Sequence, residues 1–527
     1  MRIARAIAAV LVLAVFGVAC GDDDDDSGSQ ATAPVETTTP QAVVGGEGVV
    51  LLTSESGSLD PVRFTASGGS DGQYAFALYG ALLQYDLTND EMIPLLAESF
   101  TPSTDFKTWT LTLRPGLKFS DGTVFDAAAV KVNWDRLKVP ENRSPGLGVA
   151  AAIAATRVVD ARTLAVDLAA ANATFPYGMI RTGLNYIASP TAIQSGQDLN
   201  TKPAGAGPFI FKEWVRDDHL TLTRNPNWYD SPRPYLDTLT FRILQDETSR
   251  VNTFTVGDGD AFYTSVPSSA EEATSARDGA EYAYVTVPTS RSLVFNTAKA
   301  PFNDPRVRKA VVQGIDLKAM MDVAIPGQDP ATSFTPDFAP WYTPDAELPT
   351  YDKAAAQALV DQVTAQTGAP VQFNLTVVAG NTSLVALAKF VQTSLNQLKG
   401  VEVQLQELDN PSLITRVLQR DFQMTTWGFP TLEPDSGIYT AVHTGSAGNI
   451  SSYSNAQVDQ ALDTARATGD ADARADLHGE MYDQLAVDLP WFPYTHPSNG
   501  FVVGEDFAGG AVVWDGILRT DLLGRKA

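Results

Sequence analysis

Trp109-Thr110-Leu111-Thr112-Leu113-Arg114-Pro115-Gly116-Leu117-Lys118-Phe119-Ser120-Asp121-Gly122-Thr123 is the stretch on which the reading of this chain turns. Trp109, Leu111 and Leu113 alternate with Thr108, Thr110 and Thr112, the period-two pattern of a strand covered on one face. Arg114-Pro115-Gly116 predicts a turn, after which Leu117 to Phe119 resumes the strand. Ser120-Asp121-Gly122-Thr123 predicts a second turn, where Gly122 takes positive φ without steric cost. Asp126 then predicts the cap of a helix carrying Val130, Trp134 and Leu137 on one face.

Outward from this stretch the pattern is mixed. Val49 to Leu52 predicts a short apolar strand. Phe209 to Trp214, entered through the tight turn Ala204-Gly205-Ala206-Gly207-Pro208, predicts a strand that pairs with His219 to Thr223. Leu236 to Leu244 predicts another strand, and Glu247 to Val256 a helix broken by Gly257 and Gly259. Further on, Asp304 with Pro305 starts a helix, and Asp352 caps one running from Lys353 to Gln366 that stops at Gly368. Phe373 to Val378, Ser383 to Leu398, Val401 to Leu405, Pro411 to Gln419 and Asp421 to Trp427 read as strand, helix, strand, helix, strand. That order predicts an α/β lobe with parallel pairing. Helices are predicted over Ala456 to Ala467 and Ala471 to Ala486. Strand-like ends at Phe501 to Val503 and Val512 to Trp514 predict a return to the first lobe.

The beginning of the chain has a different character. Arg2 and Arg5 precede an uncharged apolar run from Ile7 to Val18, and small residues lead into Cys20, the only cysteine. This predicts a signal peptide over residues 1–19. A cysteine at the cleavage point resembles the lipobox of bacterial lipoproteins, which implies that Cys20 is acylated and tethers the mature chain to a membrane. Five aspartates, Asp22 to Asp26, then a Ser/Thr/Pro/Ala/Val-rich run without aromatics predict a disordered stalk over residues 20–46. The roughly 480 residues that remain are too many for one small core, so at least two lobes are expected. Losing Arg2 and Arg5 with the leader takes the formal charge from −25 to −27. Such a surface repels nucleic acid and anionic headgroups. With no thiol after Cys20, disulfides and cysteine-rich metal sites are excluded.

Catalytic motifs are weak. The four histidines, His219, His443, His478 and His496, form no HxxxH pair. Gly68-Gly69-Ser70-Asp71-Gly72 matches G-x-S-x-G, but that elbow needs a strand before it and a helix after it, and here it reads as a flexible Ser/Gly-rich loop. A pair of carboxylates acting on a glycoside is not decided by spacing alone. Trp341-Tyr342, Trp427, Phe429 and Tyr439 fall near predicted loops and strand ends, where pockets of two-lobed α/β proteins form, though core packing is the better explanation for any one aromatic.

Taken together, Leu96-Ala97-Glu98-Ser99-Phe100, the Trp109–Thr123 stretch and Phe125-Asp126-Ala127 resemble the signature of the peptide/nickel class (family 5) of bacterial extracellular solute-binding proteins, the receptor subunits of ABC importers. Gly205-Ala206-Gly207-Pro208-Phe209, Asn225-Pro226-Asn227-Trp228-Tyr229 and Phe295-Asn296 with Pro301 to Ala310 are similar to further family segments. The resemblance implies an α/β, two-lobed fold of the periplasmic-binding-protein type II-like kind, with an extra subdomain inserted in the first lobe. On this reading residues 47–75, 200–288 and 498–527 form the first lobe, 76–199 the inserted subdomain and 289–497 the second lobe. It implies an extracytoplasmic, monomeric receptor, not an enzyme, that needs no cofactor, closes on a peptide-like or other small solute and delivers it to permease subunits. A sensor docking to a membrane signalling protein would use the same closure, and a hydrolase is the remaining alternative.

The resemblance also nominates ligand contacts. In peptide-binding members an aspartate three residues after a tryptophan anchors the ligand's amine. The matching segment is Trp427-Gly428-Phe429-Pro430-Thr431-Leu432-Glu433-Pro434-Asp435, and that position is Pro430, which carries no charge. This turns the expectation from a free peptide towards metal chelates, sugars or opines. Trp427 is expected to form an apolar wall, Gly428 and Phe429 to offer backbone polar groups, and Asp435 to offer a charge. Trp341 is a candidate second wall and Asn296 a candidate polar group of the cleft. No metal ligands are nominated, since histidine is scarce.

Overall fold

Val50, Leu51 and Leu52 are wholly buried, so Glu47–Leu52 is covered on both faces. It lies in the middle of a seven-stranded sheet ordered Glu281–Thr286, Ser498–Val503, Ala261–Thr264, Glu47–Leu52, Thr238–Ile243, His219–Arg224, Phe209–Val215. Its two neighbours run parallel to it, and the other pairings are antiparallel. Leu51 points into a small core with the helices Glu247–Thr255 and Pro267–Ala276. Val50 and Leu52 point the other way, into a large core shared with the helix Asp71–Tyr79. The structure, a computed structural model, describes residues 42–86, 91–286, 289–337, 339, 341–342, 346, 348–430, 433–446 and 448–527. The leader, Cys20 and the expected stalk up to residue 41 lie outside the described residues.

The Trp109–Thr123 stretch folds as its pattern demands. Thr108–Leu113 buries Trp109, Leu111 and Leu113 and leaves its threonines half-buried. It belongs to a four-stranded antiparallel sheet ordered Ala97–Pro102, Thr108–Leu113, Thr163–Leu168, Ile153–Val158. Gly122 takes φ 86°, and Asp126 Oδ1 accepts the Ala129 N–H at 2.9 Å to cap Ala127–Leu137. Trp134 is fully buried and its indole N–H donates to Leu184 O at 2.8 Å. The side chains of this sheet join the large core of the first sheet without a break.

A separate core encloses a second sheet, ordered Val401–Leu408, Val371–Val378, Met424–Pro430, Thr289–Phe295, Trp491–Thr495. The first three strands are parallel, as the strand-helix-strand-helix-strand order predicts. Asp304 and Asp352 cap their helices, and Gly368 ends the second of these at φ 69°.

The chain passes between the sheets twice. It leaves the first at Thr286 and enters the second at Thr289. It leaves the second at Thr495 and re-enters the first at Ser498. The two crossings are neighbours, because Thr286 pairs with Ser498 and Arg291 pairs with Thr495.

Two expectations change. Residues 68–72 are not a flexible loop. Asp71 begins a helix, and its carboxylate accepts N–H bonds from Thr65 at 2.6 Å and Ser67 at 2.9 Å, which pins the turn. The expected disordered stalk also ends early, because Ala42 and Val43 already pair with Lys526 and Arg525. No helix among the described residues is long and apolar enough to cross a membrane.

Candidate functional site

The C-terminal end of Met424–Pro430 presents Trp427, Gly428 and Phe429 in register with Ser292, Arg291 and Ser290 of the next strand. Trp427 is half-buried against the second core. Phe429 is buried, with its ring 4.7 Å from that of Trp491. Gly428 is exposed, and a Cβ there would meet nothing closer than 3.7 Å. Packing therefore does not demand glycine at 428; its effect is to keep the surface beside Arg291 low.

Arg291 faces the first lobe. Its charge is felt by Tyr263 of the strand Ala261–Thr264 and by Asp515. Asp515 sits at φ 59°, next to Gly516 at φ 76°, an uncommon pair of left-handed residues of the kind that clusters at binding sites. Its Oδ2 accepts the Gly68 N–H at 2.9 Å. A Cβ at Gly68 would lie 1.7 Å from Asp515 O, so only glycine fits there. Arg181, just past the helix Phe175–Ile180, stands with its guanidinium carbon 5.5 Å from the Trp514 ring centre and within the field of Asp515. Arg181, Arg291 and Asp515 are each half-buried. Burial pushes the Asp515 carboxyl up to about 6, against the opposing pull of the Gly68 N–H and of the two arginines. Burial likewise pushes the Arg181 guanidinium down to about 10, with Asp515 opposing the shift.

The inserted segment also touches the second lobe directly. Asn172 Nδ2 donates to Asp435 Oδ2 at 3.2 Å, and the Ala173 N–H donates to Arg466 O at 2.9 Å. Phe106 lies over Gly469 so closely that a Cβ at 469 would collide with its ring.

Of the nominated residues, the structure brings Trp427, Gly428 and Phe429 together at one strand end. Asp435 is buried and already paired, with Arg466 Nε at 2.5 Å, so its charge holds the lobe contact. Trp341 is buried in the second core. Asn296 is at the opposite end of its strand, where its buried amide donates to Arg420 O at 2.9 Å and Phe422 O at 3.1 Å. Cys20 lies outside the described residues. Sequence reasoning missed Arg181, Arg291 and Asp515. The signal available for Arg291 was an arginine inside the apolar run Leu293-Val294-Phe295 and its polar lead-in. An open groove of about 380 Å³ lies towards the other end of Met424–Pro430, lined in part by Asn374, Asp421 and Gln423. Among the described residues no cluster of three or more His, Cys, Asp or Glu is placed to hold a metal ion.

Known proteins share this architecture. The solved structure of DppA from Helicobacter pylori with the peptide STSA superposes with a TM-score of 0.78 at 21% identity, covering 92% of this chain and 99% of that one. NikA from Brucella suis with Fe(III)-EDTA gives 0.79 at 21%, covering 91% and 100%. AgaA from A. tumefaciens with agropinic acid gives 0.78 at 23%, covering 92% and 99%. By sequence, the glutathione-binding protein GsiB of Pectobacterium atrosepticum is 28% identical over 461 residues, 84% of this chain and 87% of that one. GsiB of Salmonella typhimurium is 28% identical over 470 residues, 84% and 88%. Residues 91–449 match the profile of the bacterial extracellular solute-binding proteins, family 5 (middle), and the chain belongs to that family.

Proposed function

We propose that this protein is the extracytoplasmic receptor of an ABC importer, that it encloses a peptide-like or other small organic solute between its two lobes, and that it hands the solute to membrane permease subunits without altering it. The observation that carries this is the pair of separately cored sheets joined by two adjacent crossings. That architecture suits capture by closure. The lobes would comprise residues 47–75, 200–288 and 498–527, with 76–199 inserted, and residues 289–497.

Relatives that bind glutathione, peptides, agropinic acid or a metal chelate support a solute of this size class. They do not single out one solute for this chain. Pro430, where peptide receptors carry an amine-binding aspartate, argues against a free peptide N-terminus as the anchor. Asp71 is the acid whose charge Asp515 feels, and its carboxylate is taken up by Thr65 and Ser67, which favours binding over acid–base chemistry. The receptor is a monomer tethered through acylated Cys20 on this reading, and Trp427 forms one wall of the bound solute's pocket.

Native mass spectrometry of the purified protein tests the proposal. A single co-purified solute at one per chain, recovered unchanged, is the expected result. Turnover of that solute into products would overturn it.

A further inference from the structure

Two turns of the inserted segment form a knob. Residues 103–107 join the strands Ala97–Pro102 and Thr108–Leu113, and residues 172–174 lead into the helix Phe175–Ile180. The turns are tied to each other: the Asn172 N–H donates to Phe106 O at 3.0 Å, and the Trp109 indole N–H donates to Asn172 O at 3.1 Å. Phe106 sits at φ 53°, a left-handed conformation that a bulky residue adopts only at a cost. Among the described residues its ring joins none of the hydrophobic cores, so packing in its own lobe gives no reason for an aromatic side chain there. The second lobe supplies the reason. Gly469 lies between the helices Ala456–Arg466 and Ala471–Asp488, and a Cβ on it would fall 2.1 Å from Phe106 Cζ. The backbone at 469 is not left-handed, so the demand for glycine comes from the Phe106 ring. Beside this notch Arg466 O, a carbonyl that the end of its helix leaves without an intrahelical donor, accepts the Ala173 N–H at 2.9 Å. Asp435 Oδ2 accepts from Asn172 Nδ2 at 3.2 Å and is itself fixed by Arg466 Nε at 2.5 Å, whose guanidinium lies over the Tyr439 ring.

We propose that this knob and notch are a clasp that keeps the two lobes shut without help from a solute, so that the resting receptor is mostly closed and solute enters during brief openings. Every contact of the clasp is made by the chain's own groups, at Phe106 with Gly469, Asn172 with Asp435 and Ala173 with Arg466. They involve none of the strands that cross between the sheets, so they pin the lobes at a second place. A hinge alone leaves the angle between two lobes free, and a hinge with a clasp sets it. The clasp biases the open–shut equilibrium before binding, so it lowers the rate of entry by the fraction of time spent shut and lowers the rate of escape by the same contacts. The strain held at Phe106 is the cost of presenting a ring at the tip of the knob. This inference rests on the receptor reading above and adds the resting state of the receptor.

The test is small-angle X-ray scattering of the full-length protein, freed of any co-purified solute by partial unfolding and refolding, together with its thermal melting. The parent's curve is expected to fit the shut arrangement. Phe106→Gly removes the ring and suits the left-handed backbone, and Gly469→Val fills the notch from the other side. Both should raise the radius of gyration by a few per cent and lengthen the largest interatomic distance. Lys107→Ala, an exposed neighbour on the same turn, should leave the curve unchanged. Phe106→Gly should melt within about 5 °C of the parent, because relief of backbone strain offsets the lost contact. A merely structural ring would instead lower the melting point and leave the radius alone. A parent curve that fits only separated lobes, a Phe106→Gly protein with the parent's radius, or one that melts more than about 5 °C lower overturns the inference. Each of these leaves the receptor reading standing, because a receptor can rest open or be held shut elsewhere. That reading falls on a different result, the turnover of a co-purified solute.

Discussion

Replacing Asp515 by asparagine should stabilise the protein near neutral pH and do almost nothing in acid. The carboxyl's value rises from 3.8 in the unfolded chain to about 6 in the folded one. A raised carboxylate contributes its stability in the protonated form, which is fully present below about pH 4 and is lost as pH climbs through 6. Two units correspond to about 3 kcal/mol at pH 7. Water reaching this half-buried group reduces that, so the expected gain is about 1–3 kcal/mol, or about 2–4 °C per kcal/mol in the melting of a lobe of this size. The charged groups that set the value are Arg181, Arg291 and Asp71, and all of them remain. Asparagine keeps an acceptor for the Gly68 N–H and tolerates the left-handed backbone at φ 59°. Its new N–H₂ takes the place of the Oδ1 that accepts from Asn499 Nδ2 at 3.4 Å, so the Asn499 amide has to turn over and present its otherwise unpartnered Oδ1. Differential scanning calorimetry at pH 4 and pH 7.5 reads the effect. A variant that melts below the parent at pH 7.5, or a gap of equal size at both pH values, refutes the electrostatic account of Asp515.

The other expected outcomes are steric, ionic and cellular. Asp435→Ala strands Arg466 and breaks the bond to Asn172, which should cost about 2–3 kcal/mol and enlarge the radius of gyration seen by small-angle scattering of the protein without added ligand. Gly68→Ala drives a methyl group to 1.7 Å from Asp515 O, so it should lose roughly 3 kcal/mol or more in urea unfolding and weaken solute binding together with stability. Cys20→Ala should move the protein from the membrane fraction to the soluble one on cell fractionation. Continued membrane association would remove the acyl tether from the proposal.

What the sequence reveals about this fold follows from how local each signal is. Thr108–Leu113 is readable because one face is buried and the other is half-wet, so side-chain type alternates. Val371–Val378 through Met424–Pro430 is readable because strands and helices alternate with clear caps. The helix Asp71–Tyr79 is hidden because every residue in it is buried, which erases the apolar stripe that marks a surface helix, and because Gly68 and Gly69 at its entrance read as loop. Gly68 answers to Asp515, hundreds of residues later. The site divides in the same way. Trp427 to Phe429 sit on one strand and can be picked out as a segment. Arg181, Arg291 and Asp515 come from three distant parts of the chain, and no spacing rule links them. Asn296 shows the converse: an asparagine that ends an apolar strand looks the same in sequence whether it faces a cleft or braces two carbonyls, and here it braces Arg420 and Phe422.

The adjacency of the two crossings limits what kind of machine this body can be. Two crossings side by side permit bending across their width and oppose stretching, so closure at this place would swing the halves like the covers of a book on one spine. Such motion has a single angular coordinate. A partner resting across both covers can gauge occupancy from the gap between two fixed points, without touching the solute. It also follows that freedom surrendered on shutting is that of one angle, which leaves most of the solute's contact energy for tight retention.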